Sequence, residues 1–386
     1  MKRKSNFQTL IGKSWRIIVG IGILNLISML FPMALEAATY YSRVAAFSFA
    51  TAAANWSTSR TGGTLVNYPG TTHNYVIQTG NNVTIGANQT AVAITVESGG
   101  TLTIGGNFTI TSPLTINLGG TMTVTTRRLT MAGNLINNGA ITITTGRLIR
   151  NTFTLTNSGS ITMGAGQFTA TSGAFTNEAA GTMTVTGAAT ITLGTGNFVN
   201  NNTSASVNFG SSNVGLTGTT RSVGGFVTTG AVTPSNASGT ITITGNINGA
   251  AFTKSGAGTI NMGTGLTHTF TGIFALGTTV GSVVNGGSST INVNVNGSAW
   301  TGTGSLFTPG TGTVNFGGTA QTLSATGTQT FYNLTLSNSG TKTINTTTVN
   351  NILSMEGTAT SSAAPTYGTN ATLRYNTATS RTVGVE

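Results

Sequence analysis

From about residue 81 onward, apolar and polar side chains alternate in short runs of four or five, and each run is followed by glycine or asparagine. Strict alternation places one set of side chains on each face of a strand, so the pattern predicts strands with a buried face and a solvated one. Five runs align on one glycine: Gly100-Thr-Leu-Thr-Ile104, Gly120-Thr-Met-Thr-Val124, Gly139-Ala-Ile-Thr-Ile143, Gly159-Ser-Ile-Thr-Met163 and Gly181-Thr-Met-Thr-Val185. The steps between these glycines are nearly even, the last being slightly the longest, and Gly80-Asn-Asn-Val-Thr-Ile85 fits as an earlier member. A second column runs through Asn117, Asn137, Asn157 and Asn177, preceded by an apolar column of Leu135, Leu155, Phe175 and, by extension, Phe198.

A fixed period of about 20 residues signals stacked supersecondary units. The strands are too short and too close for βαβ crossovers, and no helical period separates them. The reading is an all-β chain: a parallel β-helix (β-solenoid) with about 20 residues per coil. Its apolar residues stack inward, and its threonines point out. Asparagine tolerates left-handed turn conformations, and amides stacked one coil apart hydrogen-bond to each other, so the Asn column needs no ligand. An array of β-sandwiches linked by hairpins is the competing architecture.

Three other regions depart from this repeat. Residues 1–38 carry Lys2, Arg3, Lys4, Lys13 and Arg16, then an apolar run over 17–35, then small residues at Ala37 and Ala38. This is the order of a secretory signal peptide, with cleavage after Ala37 or Ala38; an uncleaved anchor helix is the alternative. Residues 39–80 concentrate Tyr40, Tyr41, Trp56 and Tyr68 and read as an N-terminal cap, because a solenoid must cover the open end of its core. A carbohydrate-stacking role for Trp56 is the sharper alternative. Residues 81–215 are the regular coils. Residues 216–386 are less regular solenoid repeats. A longer echo runs into them: Asn208, Asn261 and Asn315, each within a Val-Asn-Phe-Gly-like motif, are almost evenly spaced and suggest a higher-order unit of two or three coils. The last residues read as strand and turn with no capping segment, as in a chain truncated at its C-terminus.

Composition narrows the function classes. The 386 residues include 55 glycines and no cysteine, and only 5% are charged. The sustained alternation separates the chain from low-complexity coil. The formal charge of +11 falls to +7 after residue 38, where eleven basic residues face Glu97, Glu178, Glu356 and Glu386. Arg127, Arg128, Arg147 and Arg150 form the only local cluster, without the interleaved aromatics of a nucleic-acid interface. Nucleic acid is therefore not an expected partner, and a membrane is expected only during export.

Catalysis is tested by its required residues. Glycoside hydrolysis uses paired carboxylates. The chain has no aspartate, and Glu97 and Glu178 lie about four coils apart, roughly 19 Å at the usual strand spacing. A zinc site needs more than His73 and His268, which read as surface or turn residues. A serine nucleophile lacks a base, and the paired glycines precede strands rather than helices, so they are turns. The expectation is no enzyme, no cofactor and no metal.

Two stretches resemble a known group. Thr39-Tyr-Tyr-Ser-Arg43, Asn55-Trp-Ser57, Tyr68-Pro-Gly70 and Val76-Ile-Gln-Thr-Gly-Asn-Asn-Val-Thr-Ile85 resemble the start of large secreted β-strand-repeat proteins of Bacteroidetes type. Gly312-Thr-Val-Asn-Phe-Gly317 and Thr328-Gln-Thr-Phe-Tyr-Asn-Leu-Thr-Leu336 resemble their internal repeats. The resemblance implies a secreted or cell-surface (outer membrane-associated) location, an adhesin-like role and, often, export by a type IX pathway.

The expected function is therefore a structural or adhesin-like solenoid with an unknown surface or glycan ligand. Two alternatives remain. One is an ice-binding protein using an outward file of Thr103, Thr123, Thr142, Thr162 and Thr184, flanked by a partial file of Thr101, Thr121 and Thr182 that Ala140 and Ser160 interrupt. The other is a carbohydrate-binding module using exposed aromatics.

Overall fold

A computed structural model describes residues 37–50, 53–150, 152–187, 189–219 and 221–386. The signal-peptide reading falls almost wholly on residues 1–36, outside the described residues. No described helix is long and apolar enough to cross a membrane.

From Thr39 onward the chain winds into a parallel β-solenoid of about 15 turns with three faces. Each turn contributes one short strand to each of three sheets. In one turn Leu114–Ile116 lies in the first sheet, Thr121–Val124 in the second and Arg128–Met131 in the third. The next turn repeats them as Leu135–Asn137, Ala140–Ile143 and Arg147–Arg150. Each strand pairs in parallel with its equivalents one turn before and after. At about 4.8 Å per turn, 15 turns rise about 70 Å. Among the described strands, only the short strand Trp56–Ser57 pairs antiparallel, with Thr39–Ser42. Hairpin-linked sandwiches are therefore excluded. The three sheets continue past residue 216; near the end Gln329–Leu336 and Thr347–Glu356 are long strands of the second sheet, while the third sheet runs on separately to Thr360–Ser361.

The alternation does the folding work. Met122, Ile141, Ile161 and Met183 stack inward one above another, as do Val124, Ile143, Met163 and Val185. The apolar column is observed in register as Leu135, Leu155, Phe175 and Phe198, with Ile94 and Leu114 before it. Farther along, Phe252, Phe274 and Trp300 occupy one inward column with near-parallel rings, 4.3 and 4.7 Å between centroids.

The aligned glycines are explained by crowding rather than by backbone angle. Gly139 and Gly159 do not adopt positive φ. A Cβ on Gly159 would overlap the carbonyl oxygen of Gly139 on the turn beneath. The column is glycine because adjacent turns approach too closely for any side chain.

The asparagine column is real but shifted. Asn137, Asn157 and Asn177 are fully buried and form a ladder: Nδ2 of Asn137 donates to Oδ1 of Asn157 (2.7 Å), Asn157 to Asn177 (2.8 Å), and Asn177 to Asn200 (3.0 Å). These residues end strands of the first sheet, and none has a left-handed backbone. Asn117 is not a member. The partner of Asn137 on the preceding turn is Ile116, and Asn117 sits in the corner that follows. The longer step to Gly181 leaves the pairing of Ser160 with Thr182 intact; its extra residues lie in the corner between Asn177 and Thr182.

The longer echo dissolves in three dimensions. Asn208 and Asn315 lie in the second sheet, whereas Asn261 lies in the first. What recurs is a local turn: Oδ1 of Asn208 accepts from the N–H of Gly210, and Oδ1 of Asn261 from that of Gly263. Such a side-chain turn serves any corner, so its spacing carries no coil number.

At the N-terminal end, the rings of Phe47, Phe49, Trp56, Tyr68 and Tyr75 pack together against Phe108. Trp56 has no exposed surface, and its Nε1 donates to the carbonyl of Phe49. It cannot stack on a carbohydrate; the ring covers the core.

His268 also departs from expectation. It is fully buried in the second sheet, not at a turn or surface. Its Nδ1 accepts from the N–H of Ile247 (3.1 Å), and its Nε2 faces the carbonyl of Met262 (2.8 Å), so the neutral ring with the proton on Nε2 satisfies both. Burial pulls its pKa from 6.5 down to about 4, against a smaller opposing effect of the Met262 hydrogen bond. The unfolded chain therefore binds the proton first as pH falls. Stability is expected to drop as pH is lowered from 6.5 to about 4. Melting temperatures across that range check this, and His268→Gln should flatten the His-dependent part of the slope.

Candidate functional site

The five threonines singled out from the sequence form one in-register file on the outer face of the second sheet: Thr103, Thr123, Thr142, Thr162 and Thr184. The file begins one turn earlier, at Thr84, and passes to Asn208 on the turn after Thr184. Each member lies between two inward apolar residues, which fixes its direction: Thr142 lies between Ile141 and Ile143, both buried. A second file runs beside it through Asn82, Thr101, Thr121, Ala140, Ser160 and Thr182. The Oγ1 atoms of Thr101 and Thr121 are 3.0 Å apart and hydrogen-bonded. Along the axis the members repeat at about 4.8 Å, and across a strand the two files are about 6.6 Å apart.

Threonine is not peculiar to this face. The first sheet shows Thr95, Thr115, Thr156 and Thr176 outward, interrupted by Ile136. The third shows Thr90, Thr109, Thr130, Thr169 and Thr192, interrupted by Ile149. Threonine is a favoured exposed strand residue, which accounts for all three. The second sheet differs in continuity. Its main file from Thr84 to Asn208 holds no charged and no apolar side chain, and the same column later carries Asn292 and Asn315, joined side chain to side chain at 3.0 Å.

The inward polar groups were not legible as such. Arg150, counted with the surface cluster, turns into the core, where its guanidinium donates to the carbonyls of Phe153, Gly173 and Ala174. Space for it comes from Ala170, its neighbour in the inward column, and from Gly173, where a Cβ would collide with Nη1. Arg221 donates to Leu193 and Gly196 carbonyls, and Lys342 to those of Gly318, Thr319 and Ser339. Burial holds Arg150 and Arg221 down to about 10, and Lys254 and Lys342 down to about 8. Each cation is bound by backbone oxygens at a corner of the coil. The signal that could have found Arg150 is its place two residues after Leu148, on the buried side of the alternation.

Glu97 and Glu178 follow equivalent first-sheet strands four turns from one another, about 19 Å. Glu97 pairs with Arg60, and Glu178 accepts from Asn201. Among the described residues, no three His, Cys, Asp or Glu side chains group as metal ligands. A shallow depression of about 320 Å³ on the third sheet, lined by Asn296, Thr319, Gln321 and Thr341 among others, contains no titratable group. The chain matches no family model, no curated protein and no solved structure.

Proposed function

We propose that this chain is a non-enzymatic, structural or adhesin-like solenoid of the cell surface or extracellular space. The observation that carries this reading is the use made of the inward polar groups. The Asn ladder, Arg150, Arg221 and Lys342 are all committed to holding one turn on another. These inward polar groups brace the rod, and the outward file of the second sheet from Thr84 to Asn208 is hydroxyl and amide. The export-signal pattern and the resemblance to secreted repeat proteins support the location; surface labelling of intact cells producing the chain tests it.

A second reading, ice binding, is favoured by one observation: the unbroken Thr84-to-Thr184 file with its neighbour makes an uncharged array in continuous register. Against it, Ala140 and Ser160 break the neighbouring file at its centre. Thermal hysteresis separates the two. The parent protein is expected to show none beyond the colligative effect. Hysteresis in the parent that disappears in Thr142→Tyr, where one ring would lift the face off a lattice, overturns the scaffold reading.

A further inference from the structure

The eleven basic residues after residue 38 divide cleanly by what they touch. Arg150, Arg221, Lys254 and Lys342 are buried on backbone carbonyls. Arg43 donates to the carbonyls of Ser59 and Gly62. Arg60, Arg374 and Arg381 pair with Glu97, Glu356 and Glu386. That leaves Arg127, Arg128 and Arg147, all exposed and with no side-chain partner among the described residues.

These three lie together. Arg128 and Arg147 are direct neighbours on adjacent strands of the third sheet, about 4.8 Å apart along the axis. Arg127 sits in the corner beside them, its carbonyl bonded to the N–H of Arg147. Like charges directly opposite on paired strands destabilise a sheet, and the four glutamates after residue 38 are either paired elsewhere or bonded to asparagine. An external anion would relieve the repulsion. The guanidinium forks suit planar or tetrahedral oxyanions.

We propose that Arg127, Arg128 and Arg147 form a docking site for an anionic polysaccharide, one bearing sulfate or carboxylate groups. The flanks select this partner class. The arginine column continues into Asn107 on one side and Gln167 on the other. Asn107 is exposed, and its Oδ1 is taken by the N–H of Arg128, so the group it has left to offer a ligand is an amide donor. Thr109 and Thr130 supply hydroxyls alongside. The rings on the strands flanking the arginines, Phe108 and Phe168, are buried and offer no face to a base, and the exposed Phe153 lies in the corner past the far end of the Arg147–Arg150 strand. Two turns of arginine are also too narrow for the many phosphate contacts of a duplex.

The inference deepens the adhesin-like reading and rests on it for its setting. The test is binding of the full chain to dextran sulfate and to polygalacturonate, with neutral dextran and duplex DNA as controls, across a salt series. The expected result is binding to one or both anionic polysaccharides that weakens with salt, and at least tenfold weaker binding in the combined Arg127→Gln, Arg128→Gln, Arg147→Gln variant. Arg374→Gln should change affinity less than twofold. If the combined variant melts early, Arg147→Gln alone serves: its salt dependence should be shallower than the parent's. Undiminished binding by the variants, equal binding of neutral dextran, or preference for DNA at matched charge overturns the proposal. A parent that binds none of the probes overturns the patch and leaves the scaffold reading standing. A parent that binds dextran sulfate and shortens it overturns the scaffold reading and leaves the patch.

Discussion

Ile141→Asp is expected to unfold or aggregate the solenoid, whereas Thr142→Asp, one residue along, is expected to leave it folded. Ile141 is 1% exposed and stacked between Met122 and Ile161. A carboxylate there faces apolar side chains from the turns above and below, with no cation aligned to it. Burying an unpaired charge costs several kcal/mol, and losing the packed isoleucine adds a further ~1–3 kcal/mol. Single substitutions rarely exceed about 4–5 kcal/mol, and this one combines two of the mechanisms that do. Thr142 points to solvent from the same strand, so an aspartate there stays hydrated and its effect should fall within about 1 kcal/mol. Circular dichroism melts of both variants check the pair. Similar losses at the two positions would mean that the inward and outward sides are misassigned.

Asn157→Leu is expected to cost about 3 kcal/mol, and Asn117→Leu close to nothing. Asn157 is the centre of the buried ladder. It accepts from Asn137, and donates to Asn177 and to the carbonyl of Thr182. Leucine cannot replace these bonds, so the Asn177 Oδ1 and the Thr182 carbonyl lose a donor inside the core. Each buried group left unsatisfied costs about 1–3 kcal/mol. Asn117 precedes Asn137 by the same step that separates Asn137 from Asn157, so along the chain it is as regular as any member of the column. Because its place in the ladder is held by Ile116, replacing it touches a half-buried corner alone. Denaturant midpoints of the two variants decide whether the column follows sequence spacing or strand pairing. Equal losses would restore Asn117 to the ladder.

The contrast between those two asparagines marks where sequence and tertiary structure part. Alternation within a strand is a local property, set by the two-residue period of extended backbone. Ile141 inward and Thr142 outward follow from it directly, as do the five-threonine file and the Leu135–Leu155–Phe175–Phe198 stack. The glycine column was equally visible, although its cause, the close approach of Gly139 and Gly159, is a contact between successive turns. Corners obey no such period. They absorb one or two residues without disturbing the strands they join, so constant spacing can hide a slip, as at Asn117, and an uneven step can preserve register, as at Gly181. The same freedom let a local asparagine turn recur at Asn208 and Asn261 on different sheets.

Burial of polar groups was the other thing only the fold decided. Arg127, Arg128, Arg147 and Arg150 read as one basic cluster, although alternation from Leu148 puts Arg150 on the inner side, and His73 and His268 look alike along the chain. The side chain of Arg150 turns inward because Ala170 and Gly173 on the next turn leave room and three carbonyls wait there, while Arg128 and Arg147 stay outside. Of the two readings of Trp56, cap and carbohydrate platform, the fold decides for the cap, because Phe47, Phe49 and Tyr75 enclose the ring. A strand's period states which side a residue faces. Whether a polar side chain can remain on the inner side depends on carbonyls and gaps supplied by residues a full turn away, which no window along the chain contains.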